Sequence, residues 1–136
     1  MRSFSLCLLL MTTQAFADIY VVVSEKSPMS HFEIEEVADV YLGRKKTLGS
    51  TYVDQVLDRT GEDRKRFFSA VTNMTESQVN AYWAKLKFSG SMRAPDKVSS
   101  DQGMLEKIIE NPQAIGYMTK EPPASSGVRV GLHIHE

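Results

Sequence analysis

Two histidines close to the C-terminus, His133 and His135, are the first residues whose types and spacing suggest chemistry. On a β-strand, residues i and i+2 share a face, so both imidazoles can meet one metal ion. Zinc takes three or four ligands. The remaining histidine is His31, and the single cysteine, Cys7, lies in the N-terminal segment. With the remaining ligands missing, the pair fits an exposed polar strand edge better, and no metal site is expected. A second candidate is the run Arg59-Thr60-Gly61-Glu62-Asp63-Arg64. A hydroxyl residue and a glycine ahead of a helix present backbone N–H groups to an oxyanion. The candidate contacts are Thr60, Gly61 and Arg64, with Ser24, at the end of the first strand, as a fourth. Arg59 or Arg64 can add bidentate charge. Glu62 and Asp63 speak against an anion, because their carboxylates would repel it, and an acidic first turn is what a helix dipole favours in any case. Asp63, three residues after Thr60, suits ordinary capping. The third candidate, Arg44-Lys45-Lys46, either meets an anionic surface or complements the C-terminus of the helix before it.

Other chemistry finds no support. The chain holds no nucleophile elbow, P-loop or dinucleotide fingerprint. Serine, histidine and aspartate are all present, but no spacing ties them into a triad. No catalytic residue and no cofactor are therefore expected, and the chain is read as a non-enzyme. Asn73-Met74-Thr75 matches a glycosylation acceptor but overlaps a helix cap.

The elements that must position these residues follow from periodicity. In Thr75 to Gly90, Thr75 and Gln78 form a capping box. Val79, Tyr82, Trp83 and Leu86 then make one apolar stripe. The only tryptophan sits in that stripe, and the core is expected to condense around it. Ile19 to Val23 and Ala114 to Met118 are short apolar runs of the kind buried on both faces of a sheet, with Gly116 marking a close backbone approach. A helix is expected from about Ser30, capped with Glu33, to Gly43, with Ile34, Val37, Ala38 and Tyr41 inward. Thr51 to Val56 reads as a strand, Asp58 to Asp63 as a polar loop, and Glu62 to Thr72 as a helix. Ser99 or Ser100 caps a fourth helix that Asn111-Pro112 stops. Val128, Val130, Leu132 and Ile134 alternate with polar residues, the pattern of a half-buried strand. This order places the chain in the α/β class.

Composition bounds the setting. The chain has 136 residues and a formal net charge of −1 at pH 7, a balance that excludes non-specific nucleic-acid binding as the main task. Arg2, the apolar run Phe4 to Met11 and Ala15-Phe16-Ala17 have the form of an export signal cleaved after Ala17. Residues 1–17 are expected to be that signal peptide and 18–136 a single domain in the periplasm. Cys7 lies inside the apolar run and lacks the small residues that follow a lipidated cysteine.

Three phrases carry a resemblance: Val40-Tyr41-Leu42-Gly43-Arg44, then Trp83 with Phe88 and Gly90, then Asn111 to Tyr117. Together they resemble the short exported relatives of phosphate-binding components of ABC transporters, over nearly all of residues 19 to 118. The resemblance implies a single lobe of a periplasmic-binding-protein-like fold, a small mixed sheet flanked by about four helices. It implies that Ile19 to Val23 and Ala114 to Met118 are the strands that join lobes in full-length relatives. It also implies phosphate or a similar oxyanion as ligand, at Thr60-Gly61-Glu62, where the family places Ser-Gly-Thr. An ABC permease or another envelope protein would be the partner, and a homodimer or that partner would supply the second wall of a clamshell. The alternative is a lobe turned to protein interaction that no longer holds phosphate.

Overall fold

The computed structural model describes residues 18–89 and 94–135; the expected signal peptide, residues 1–17, and Gly90 lie outside the described residues. The strands are β1 (Ile19–Ser24), β2 (Thr47–Leu48), β3 (Thr51–Tyr52), β4 (Gln55–Asp58), β5 (Asp96–Lys97), β6 (Ala114–Met118) and β7 (Val128–Ile134). The helices are α1 (Ile34–Tyr41), α2 (Gly61–Thr72), α3 (Glu76–Phe88) and α4 (Asp101–Glu110). Five strands form one mixed sheet in the order β5-β4-β6-β1-β7, and β2 pairs with β3 as a separate hairpin. The expected α/β class and four flanking helices are what the chain adopts.

The two apolar runs occupy the places their composition calls for. β6 and β1 lie inside the sheet, and every residue of β6 is buried. Alternation sends Ile19, Val21, Val23, Ile115 and Tyr117 to the layer built by α1, α2 and α3. Val22, Ala114 and Met118 face α4 through Met104 and Ile108. Gly116 is the close approach expected of it, since a Cβ there would run into the Met104 thioether.

Trp83 is 8% exposed and packs in the first layer with Val79, but it is not the centre of that layer. The centre is aromatic and comes from three other elements. Phe67 stacks on Tyr117 with centroids 3.7 Å apart, and Tyr41 meets both edge-on at 4.6 and 5.7 Å. Such pairs contribute about 0.5–1.5 kcal/mol each beyond their buried area. α3 lies at the margin: it buries Val79 and Trp83 and leaves Phe88 97% exposed.

Three boundaries differ from expectation. α1 starts at Ile34, capped by Glu33, whose N–H donates to the Glu36 carboxylate at 3.2 Å. The chain before it stays outside the helix, with Met29 and Phe32 buried in the core. The expected strand over Thr51 to Val56 is divided between β3 and β4. Finally, β7 does not alternate throughout. The β1–β7 register shifts between Val21 and Val22, which pair with Leu132 and Val130, leaving Gly131 as the extra residue of a β-bulge. Val128 and Val130 therefore pack on the α4 side, whereas Leu132 and Ile134 pack on the other. Gly131 is required because the Phe32 ring lies where a Cβ would project.

Gly131→Ala is expected to destabilise the fold by about 1–3 kcal/mol through overpacking against Phe32. Urea denaturation measures it as a lower midpoint at unchanged slope.

Candidate functional site

Strands β4 and β6 are parallel, as are β4 and β5. Their C-terminal ends therefore share one end of the sheet, the location where open α/β sheets bind ligands. The N-termini of α2 and α4 follow directly from β4 and β5 and meet there. Thr60 is the extended N-cap of α2 and its side chain makes no capping bond. Gly61 has φ +65, a left-handed conformation that glycine adopts without a Cβ penalty. Thr60, Gly61 and Glu62 are exposed.

Beneath this turn lies a buried carboxylate. Asp58 is 2% exposed. Its Oδ1 accepts from the Arg59 N–H at 2.8 Å and from the Tyr117 hydroxyl, and its Oδ2 accepts from Arg64 Nε at 3.0 Å. Burial, followed by the Asp58 charge and its hydrogen bond, pushes the Tyr117 phenol far above its ordinary pKa, so it remains a donor. The Tyr41 phenol is raised for the same first cause, burial, with Asp58 next, and donates to the Leu57 carbonyl at 2.7 Å. The aromatic core thus terminates in hydroxyls aimed at the β4 exit.

Both arginines are engaged by the protein's own acids. Arg64 joins Asp58 and also reaches Glu76 at 3.4 Å. Arg59 lies 2.9 Å from Asp101 and 3.7 Å from Asp63, and Thr119 donates to Asp63 at 3.2 Å. Asp63 and Asp101 stand in the first turns of α2 and α4, where the positive helix ends favour a negative charge. At this site one polar donor is left over: Arg59 Nε is buried and has no hydrogen-bond partner among the described residues.

The structure thus brings together Thr60 and Gly61, places Arg64 just below them with its guanidinium turned inward, and separates Ser24. β1 is antiparallel to β6, so Ser24 lies at the opposite end of the sheet, where its Oγ accepts from the Lys26 N–H at 3.2 Å. Sequence reasoning missed Asp58, Tyr117 and Asp101. The one available signal was a tyrosine inside an apolar strand, whose hydroxyl must find a partner when buried. Of the other candidates, Arg44 and Lys45 pair with Asp39 at 3.8 and 3.7 Å, beside the end of α1. Asn73 is the left-handed C-cap of α2. A cavity of about 280 Å³ lies elsewhere, at the start of β4, against Lys45, Lys46, Tyr52 and Trp83.

No protein-family model and no curated protein sequence matches the chain. Solved structures do. A putative phosphate ABC transporter substrate-binding protein with bound phosphate from Clostridium perfringens superposes with TM-score 0.62 at 15% identity, covering 84% of this chain and 44% of its own. An ABC-type phosphate transport receptor from Vibrio cholerae gives 0.59 at 18% identity, covering 84% and 46%. PstS from Borrelia burgdorferi gives 0.53 at 15%, covering 76% and 41%. The chain spans less than half the length of each of these proteins, and it has the fold of one lobe of phosphate ABC transporter substrate-binding proteins.

Proposed function

We propose that this chain is an exported receptor-type lobe of the phosphate-transport class whose own carboxylates take the place of a tightly held oxyanion, and that it works by engaging a protein of the cell envelope. The observation that carries this reading is the double commitment of both arginines to Asp58, Glu76, Asp63 and Asp101. A dianion arriving at Thr60 meets Glu62, Asp63 and Asp101 before it meets an unpaired cation. A lone lobe also leaves one side of any bound anion in water, where charge–charge attraction is several-fold weaker than inside a closed cleft. The partner surface in this reading is the outer edge of β7, the terminal strand of the sheet, which can accept a further strand. An ABC permease or another envelope protein would supply it.

A second reading is free oxyanion binding. It is favoured by the unbonded Thr60 side chain and the unpartnered Arg59 Nε. An oxyanion there would lie against Thr60, Gly61 and the first N–H groups of α2, with Arg64 acting through Asp58 from below.

Isothermal titration with inorganic phosphate separates the two. The expected dissociation constant is weaker than about 1 mM, equivalent to less than about 4 kcal/mol; saturation at micromolar phosphate overturns the first reading in favour of the second. Asp58→Ala is expected to cost about 3–5 kcal/mol of folding stability, because it leaves the Arg64 guanidinium buried beside only the half-exposed Glu76. Chemical denaturation measures this loss, and a change below about 1 kcal/mol contradicts the assigned pairing.

A further inference from the structure

At the start of β1, beside the end of β7, Asp18, His133 and His135 form a cluster outside the Thr60 site. Tyr20 pairs with His133 and Ile19 with Ile134. The ladder therefore sets Asp18 across from His135 and puts both on the face that carries Tyr20 and His133. His133 Nε2 lies 3.4 Å from Asp18 Oδ2, and His135 Nδ1 lies 3.4 Å from Asp18 Oδ1. One donor atom from each residue falls within 4.8 Å of the others. The two imidazole rings stand 3.9 Å apart, and Tyr20 stacks on His133 at 4.4 Å with the planes 19° apart.

These spacings exceed the ordinary hydrogen-bond range of about 2.7–3.2 Å. They match the edge of a tetrahedral zinc site: with bonds of about 2.0–2.1 Å, neighbouring ligand atoms are roughly 3.3 Å apart. Tyr20 stacks on the His133 ring, and the strand pairing holds His133 directly and ends at Ile19 and Ile134, the immediate neighbours of Asp18 and His135. The three side chains are thus gathered at one point by the end of the ladder. Two nitrogens and one carboxylate oxygen suit zinc and other late first-row divalent ions, and are a poor set for magnesium or calcium, which prefer oxygen alone.

We propose that Asp18, His133 and His135 bind one zinc-class divalent ion with a coordination position left open to water or to a donor from a partner protein. The site lies at the same end of the sheet as Thr60 but three strands away, roughly 14 Å at the usual strand spacing. It does not depend on the oxyanion end. His31, the other histidine, stands outside the cluster.

The test is titration of tag-free protein, its N-terminus defined by mass spectrometry, with zinc chloride. Calorimetry is read beside ¹⁵N-edited NMR of the histidine side chains. Saturable one-to-one binding at micromolar zinc is expected, with the His133 and His135 ring nitrogens shifting and His31 still. Asp18→Asn, His133→Ala and His135→Ala should each weaken binding by roughly tenfold or more, whereas His31→Ala leaves it unchanged and magnesium gives no saturable signal. All three ligands are at least one-third exposed, so the variants fold, and circular dichroism checks that they do. Absence of saturable zinc binding, or equal affinity in the His133→Ala, His135→Ala double variant, overturns the proposal.

Discussion

The interaction on which the rest depends is the buried carboxylate of Asp58. It accepts from Arg64, from Tyr117 and from its own neighbour's N–H. A buried charge survives only when paired and hydrogen-bonded, and this one ties β4, α2 and β6 together at one point. The pairing of β4 with β6, the seating of α2 and the aromatic stack of Phe67 on Tyr117 converge on it. The Asp58–Arg64 pair also decides what the surface above can do. An arginine turned down to hold a carboxylate is not available to hold a ligand.

Topology accounts for the separation of the remaining groups. The parallel pairs β4–β5 and β4–β6 send two helix N-termini to one end of the sheet. There Asp63 and Asp101 stand in the first turns of α2 and α4, and Arg59 bridges them. The antiparallel β1 carries Ser24 away from that end and brings Asp18 to it. β6 and β1 lie side by side inside the sheet, which β7 closes on one side.

Much of this was legible in the chain itself. β1 and β6 are unbroken apolar runs and could only be buried on both faces. Thr75 with Gln78, Ser100, and Asn111 before Pro112 mark helix ends by local chemistry, and all three hold. Gly116 announced a close approach. What failed to show was set by distant partners. Asp58 and Arg59 read as loop because a charged dipeptide is normally solvated; their burial is licensed by Tyr117, 59 residues from Asp58, and Asp101, 42 residues from Arg59. The bulge at Gly131 was hidden for the same reason, since Phe32 alone requires it. Trp83 misled because the largest apolar side chain need not be the centre: three smaller aromatics from α1, α2 and β6 outweigh it. Asp18 became a third donor beside the histidines only through strand pairing that no local spacing reports.

The central claim is that Arg64 is occupied by the protein itself. Arginine side-chain NMR reads it directly. The account predicts that the Arg64 Nε–H is protected from solvent exchange and stays in place as inorganic phosphate is raised to about ten times the millimolar limit expected for its binding. A saturable shift of that resonance on adding phosphate, or rapid exchange of it in the free protein, would contradict the account.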